Sequence, residues 1–516
     1  LLSLPLWATA QESAARPLQF SSAWAAASTG TAQAKSLPLS YTLGFETVHL
    51  GAGEHLGLVG GGVLFETAPG WWAGPTVYGA ATGERGGFFV LGGEVQRRWA
   101  LGPRASLVTG FYAGGGGGGA APVGDGLMLR PSVGLMWDFG PLRAGLSYAR
   151  IRFPSGQIDG SQVGLQLSMN DQFHYFDADA TGEPGSTASR DRRSGFGVDR
   201  MMPLVGRYSI RGEARPSVGL VGTRAERTDD ASGLHWGIET AAAAKGDAAG
   251  YMEVLGTLGW DTRVTPRGMP AVRVGVRTAL GLGGGGAIPT GGGLIGKAAL
   301  TLDLALVPGW HLGLEQGQIR SFGGSLQASA TQIWLGAELD NPQPTYGTSH
   351  TVRLYETSVG FEHVLRATRA DGSQGSLDLM GFKLNRYVDN HLYVTGQAHS
   401  AFAGGAGAYS VGLVGAGLTW PAAIAAAPED SAADNTVKKV RGGWRFGTEL
   451  LVGAAGGGRV STSGGAIVQG TAWASVWRGA AGELRIGAGA IRSLHGNLRS
   501  PLVEVNWTIP FGAAGT

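Results

Sequence analysis

Residues Leu127–Phe139 read LMLRPSVGLMWDF. Leu127, Leu129, Pro131, Val133, Leu135, Trp137 and Phe139 fall on one parity, and Met128, Arg130, Ser132, Gly134, Met136 and Asp138 on the other. A period of two describes a strand with one oily face and one wet or small-residue face. The pattern recurs along the chain. Val163, Leu165, Leu167 and Met169 alternate with Gln162, Gly164, Gln166 and Ser168. Ala298, Leu300, Leu302, Leu304 and Leu306 alternate with Lys297, Thr301 and Asp303 among others. Leu484, Ile486, Ala488 and Ala490 alternate with Glu483, Arg485, Gly487 and Gly489. The expected fold class is therefore all-β.

Composition narrows the environment. The 516 residues include 92 glycines and no cysteine, so disulfides and cysteine-ligated metals are excluded. Charged residues make up 15%, well below the usual share of about 25%. Lys+Arg 40 against Asp+Glu 38 leaves +2, which disfavours a general polyanion binder, and no nucleic-acid partner is expected. The uncharged stretches 278–296 and 400–428 are too rich in glycine for helical spans. A soluble sandwich would have to pack all its oily faces into shared cores. A membrane barrel turns them to lipid, so they can repeat indefinitely at low total charge.

The chain also repeats itself. GGGGGGAAPVGDGLMLRPSVGL from Gly114, GLGGGGAIPTGGGLIGKAALTL from Gly281 and GGGRVSTSGGAIVQGTAWASV from Gly456 align. Each leads to a second match: IRFPSGQI from Ile151, IRSFGGSL from Ile319 and IRSLHGNL from Ile491. A weaker match joins Gly44-Phe45-Glu46, Gly197-Val198-Asp199 and Gly360-Phe361-Glu362. Each unit reads as eight strands, so an antiparallel barrel of about 24 strands (20 to 26) is expected. Triplication also permits three separate eight-stranded barrels. A single barrel over 37–511 is the expectation, with units near 37–170, 194–339 and 351–511 and a C-terminal tail at 512–516. By this strand count the long segments 170–193 and 421–440 fall on the side of the termini.

Residues 1–10 read as the remnant of a secretory signal, because Ala8-Thr9-Ala10 follows a short apolar run. Residues 11–36 form an N-terminal segment too short for a plug domain.

With these features the chain resembles a Gram-negative outer-membrane β-barrel protein of porin-like type, over roughly 37–511. Its final strand sharpens the resemblance: Val503, Val505, Trp507, Ile509 and Phe511 alternate with Glu504, Asn506 and Thr508. The resemblance implies that this strand is read by the barrel-assembly machinery, although residues 512–516 depart from the usual aromatic terminus. It also implies an outer-membrane location and contact with the lipid bilayer. The basic stretches 190–193 (RDRR) and 438–441 (KKVR) read most simply as solvated loops, with lipopolysaccharide or another surface phosphate as the alternative contact. A periplasmic or lumen-filling partner is a further expectation.

Other motifs carry little. The stretch 291–298 (GGGLIGKA) lacks the Ser/Thr of a phosphate loop and leads into an alternating strand. No HExxH is present, and no signature selects Asp247, Ser321 or His495 for catalysis. No enzyme activity, cofactor or metal is expected. The charges placed on wet faces are Arg130, Asp138, Arg143, Arg152, Lys297, Asp303, Glu315, Arg320, Glu483, Arg485, Arg492 and Glu504. Arg152, Arg320 and Arg492 recur in every unit, and a three-fold ring of positive charge in the lumen is conceivable. The expected function is a channel or translocation pore whose mixed-charge lumen passes solutes or an exported polymer. The alternative is a structural or surface-anchoring barrel with a blocked lumen, and its distinguishing feature would be lumen charges that are all paired.

Overall fold

A computed structural model describes residues 31–51, 53–186, 194–212, 217–229, 231–264, 271–307, 309–339, 350–423, 444–479 and 481–515. The signal remnant and most of the N-terminal segment lie outside them.

Strand β1 (Ala32–Gln33) precedes a first barrel of β2 (Lys35–Gly51), β3 (Glu54–Ala68), β4 (Trp71–Thr82), β5 (Phe89–Ala100), β6 (Ala105–Gly117), β7 (Leu127–Phe139), β8 (Leu142–Arg152) and β9 (Asp159–Tyr175). A short β10 (Pro184–Ser186) follows in the linker. The second barrel holds β11 (Arg200–Ile210), β12 (Val218–Asp229), β13 (Leu234–Lys245), β14 (Met252–Arg263), β15 (Val272–Gly284), β16 (Leu294–Val307), β17 (Trp310–Ser321) and β18 (Gln327–Glu338). The third holds β19 (His350–Thr368), β20 (Gln374–Tyr387), β21 (Leu392–Ala403), β22 (Ser410–Trp420), β23 (Phe446–Gly456), β24 (Ala466–Gly479), β25 (Gly482–Ser493) and β26 (Arg499–Gly515). The class is all-β, in three units of eight strands.

The expectation of one large ring is corrected by the pairing of first and last strands within each unit. Leu43 on β2 faces Leu167 on β9, Val205 on β11 faces Ile333 on β18, and Val359 on β19 faces Trp507 on β26. The physical reason lies on the inward faces. Towards the end opposite the termini they carry Tyr112 and Met128 in the first unit, Leu255 and Ile295 in the second, and Leu379 and Leu451 in the third, all buried. Such side chains need a dry core. A ring of eight strands is narrow enough for side chains to fill, whereas a wide ring would leave them in water.

The tail boundary is corrected too. β26 runs on to Gly515, and Gly512 and Ala513 pair with Leu354 and Arg353. The weak match at 197–199 also fails: Glu46 and Glu362 lie within strands, whereas Asp199 precedes β11. The flanking strand ends Tyr175 and Arg200, Glu338 and His350, and Trp420 and Phe446 stand at the terminus end, as counting strands from the sequence implied; residues 187–193, 340–349 and 424–443 lie outside the described residues.

The glycine-rich repeats join the barrels. Each unit has one loop of the same shape after its fifth strand: Gly116 donates to the Gly126 carbonyl, Gly283 to Gly293, and Ala455 to Gly465. Within it Gly119, Gly286 and Gly458 share φ +56°, and Ala120, Ala287 and Arg459 follow at +56°, +56° and +57°. The loop of the second barrel meets Gly86 and Gly87 of the first. The loop of the third meets Gly250 of the second, and the loop of the first meets Gly407 of the third. Each barrel therefore offers one surface forward and another back, a head-to-tail contact that closes after three copies. At the opposite end Phe173, Phe196, Tyr355 and Phe511 gather in one aromatic cluster between the first and third barrels.

Candidate functional site: the barrel interiors

Each interior has two layers. The layer away from the termini is apolar. In the second barrel it includes Leu220, Tyr251, Ile288, Ile295, Ile319 and Leu326. In the first it includes Leu58, Phe88, Tyr112, Val123, Met128 and Ile151, and in the third Leu379, Tyr409, Leu451, Val460, Ile467 and Ile491. Ile288, Val123 and Val460 belong to the glycine-rich loops, so each loop adds a buried side chain to the apolar layer.

Below it lies a charged layer. In the second barrel Arg224 donates from Nε to Glu239 at 2.7 Å and from Nη2 to Glu315 at 2.9 Å. Arg277 bridges Glu226 and Glu315, each at 2.9 Å. Lys297 bonds Glu239 and lies 3.4 Å from Glu315. Three cations thus interleave with three carboxylates across the lumen, under the ring of Trp334. Nearer the termini His311 bridges Asp303 and Glu338, both at 2.9 Å.

The other interiors follow the same plan with different residues. In the first barrel Arg130 clasps both oxygens of Glu46, at 2.9 and 3.1 Å, and Arg143 holds Asp138 at 2.5 Å. The enclosed space beside Glu46, Glu94 and Arg130 is about 20 Å³, room for roughly one water. In the third barrel Arg445 and Arg485 each contact both Glu356 and Glu483, at 2.7 to 3.2 Å. Lys383 bonds Glu504 at 2.7 Å and lies 3.5 Å from Glu449, while Gln469 donates to Glu362 at 3.0 Å. Apart from Asp138, whose side chain is 40% exposed, these charges are out of water, and mutual pairing is what makes their burial tolerable.

The charges singled out from sequence divide among three separate interiors. Arg130, Asp138 and Arg143 belong to the first barrel, Lys297, Asp303 and Glu315 to the second, and Glu483, Arg485 and Glu504 to the third. The ring of Arg152, Arg320 and Arg492 is corrected: all three are exposed on the outside. Their neighbours Ile151, Ile319 and Ile491 are fully buried in the apolar layers, so alternation turns each arginine outward. Sequence reading missed Glu46, Arg224, Glu226, Glu239, Arg277, Glu356, Lys383, Arg445 and Glu449. The pair Arg224 and Glu226, two apart on one strand, was a readable signal.

The assembly-strand residues Val503, Val505 and Ile509 are exposed on the outside, and Phe511 is buried in the aromatic cluster. Among the described residues no group of three His, Asp or Glu side chains is arranged to hold a metal ion, and no helix is long and apolar enough to cross a membrane.

No family model and no curated protein matches the chain. Among solved structures it is similar to the copper transporter OprC (10% identity, TM-score 0.25, 93% of this chain and 81% of that one). It is also similar to OccK2 (OpdF) of Pseudomonas aeruginosa in complex with glucuronate (9%, 0.21, 94% and 100%) and to the NanC porin (11%, 0.15, 58% and 100%). At such scores these likenesses carry no argument about fold or function.

Proposed function

We propose that the chain is an integral outer-membrane protein of Gram-negative type, built as three sealed barrels, and that it serves as a non-conducting structural or surface-anchoring platform. Closed sheets leave no strand edge unpaired in lipid. The outward faces support a bilayer setting, since Leu43, Val133, Leu165, Ile238, Leu258, Leu300, Val452 and Val505 are all exposed. So does the placement of Trp71, Trp99, Trp137, Trp236, Trp260, Trp420 and Trp477, exposed at the terminus end of their barrels. Interfacial belts of this kind flank the apolar band of membrane barrels.

The observation that favours a platform over a pore is the two-layered filling of every interior. Apolar side chains close one end, and below them Arg–carboxylate contacts cross the lumen. The chain's own side chains fill the lumens, which leaves no role there for a separate filling partner. In this reading the terminus-end segments present the attachment surface, and β26 is the strand offered to the barrel-assembly machinery.

Planar-bilayer recording on protein already shown to float with liposomes tests the proposal. Silence under voltage is expected. Large, stable conductance steps from the wild-type protein would overturn it in favour of a channel.

A further inference from the structure

The second barrel carries a groove of about 750 Å³ on its outer face, between β15, β16 and β17. Val276, Leu280, Leu300 and Phe322 line it, and Leu300 and Phe322 are each 68% exposed, so the described residues leave them open. The groove lies beside the junction with the first barrel, where Leu282 packs on Gly79. At its upper end, away from the termini, stand Gln318 and Arg320.

Arg320 meets only the side-chain oxygen of Gln318, at 3.5 Å, and no carboxylate pairs with it among the described residues. The first barrel shows what is missing. There Arg150 and Arg152 share Asp159, at 2.7 and 3.9 Å. In the second barrel Gln327 occupies the register position opposite Arg320 that Asp159 occupies opposite Arg152. At the same level of the third barrel Arg492 stands directly opposite Arg499. Like charges facing across strands repel unless an anion lies between them. The outer faces therefore ask for negative charge at this level, and the groove adds an apolar trough beneath it.

We propose that this groove seats one anionic membrane lipid, its headgroup phosphate on Arg320 and Gln318 beside Phe322 and its acyl chain running down along Leu300 and Val276. The inference rests on the membrane setting proposed above. Arginine suits the headgroup because its fork donates two hydrogen bonds to phosphate oxygens.

Native mass spectrometry of the full chain in mild detergent tests it, with phosphatidylglycerol, phosphatidylcholine and inorganic phosphate added separately. One retained phosphatidylglycerol is expected, and neither of the others. Arg320→Gln should lower retention by about tenfold, the loss of one charge-assisted hydrogen bond. Leu300→Trp, which fills the trough, should lower it as well, and Arg152→Gln on the first barrel should not. Heat-modifiable gel migration checks that each variant is folded. Unchanged retention in folded Arg320→Gln and Leu300→Trp overturns the proposal. So does equal retention of phosphatidylcholine, which removes the charge selection, or binding of phosphate alone, which removes the acyl trough. Flotation of the wild type with liposomes is read separately, so failure of the membrane setting is distinguishable from failure of the groove.

Discussion

A Cβ placed on Gly87 would lie 2.5 Å from the carbonyl carbon of Gly284 in the neighbouring barrel. The two backbones meet with no room for a side chain between them, and Gly250 meets Gly456 and Gly457 in the same way at the next junction. Gly284→Val is therefore expected to push the first two barrels apart at the loop end while leaving each barrel closed. The cost should be about 1–3 kcal/mol, as for overpacking elsewhere. Limited proteolysis of the folded protein checks this: cleavage at the loops that carry Gly87 and Gly284 should be faster in the variant than in the wild type, while the first barrel stays attached through its contacts with the third.

Closure at eight strands has a covalent test. The chain has no cysteine, so introduced pairs report without background. Leu43 and Leu167 face each other across β2 and β9, and Val205 and Ile333 across β11 and β18. Facing antiparallel residues lie within disulfide reach. Cysteines at either pair should oxidise readily and shift gel mobility. A single ring of all the strands would keep each pair apart and leave both unoxidised.

The charge network of the second barrel should be costly to unbalance and cheaper to shrink by a matched pair. Arg224→Ala leaves Glu239 and Glu315 short of a cation in a dry interior, and about 3–5 kcal/mol of stability should be lost. Arg224→Met combined with Glu239→Gln leaves two cations, Arg277 and Lys297, against two carboxylates, Glu226 and Glu315, and should recover much of that loss. Urea unfolding from lipid vesicles, followed by tryptophan fluorescence, measures both. If the single variant unfolds like the wild type, the pairing contributes nothing.

The apolar layer makes a separate prediction. Ile319→Ala and Ile491→Ala remove fully buried side chains, and each should cost about 2–5 kcal/mol. Arg320→Ala and Arg492→Ala change residues next in sequence but exposed, and each should stay within about 0.5 kcal/mol. The same unfolding assay compares the four. Parity of effect between the isoleucines and arginines would contradict the assigned facing.

The tryptophan belt predicts a depth. Trp71, Trp236 and Trp420 are exposed at the terminus ends of the three barrels. In vesicles their fluorescence should be quenched most by lipids brominated near the headgroup and least by those brominated at the chain end. The opposite order would place this end of the barrels at the bilayer centre.

The alternation of Leu127–Phe139 and its relatives determined the strands, and the repeated Gly-rich and Ile-Arg segments determined three units of eight, because period and repeat are properties of the chain alone. The sequence also showed that Arg130, Lys297 and Glu504 share the parity of the wet face. It did not show what that face would meet. Arg152, Arg320 and Arg492 share the parity of the oily residues Leu146 and Tyr148, Leu312 and Leu314, and Leu484 and Ile486, so the alternation itself turns them outward, while the isoleucines beside them fill a dry layer. Only the tertiary structure decided where each sheet closes. Closure is a choice of partner for an edge strand, set by whether the inward side chains fill a small lumen. Leu255, Ile295, Ile319 and Trp334 converge from four strands of one unit, and no local pattern records that they share one core. The partners of Arg224, 15 and 91 residues away, are likewise invisible until the eight-stranded ring is drawn shut.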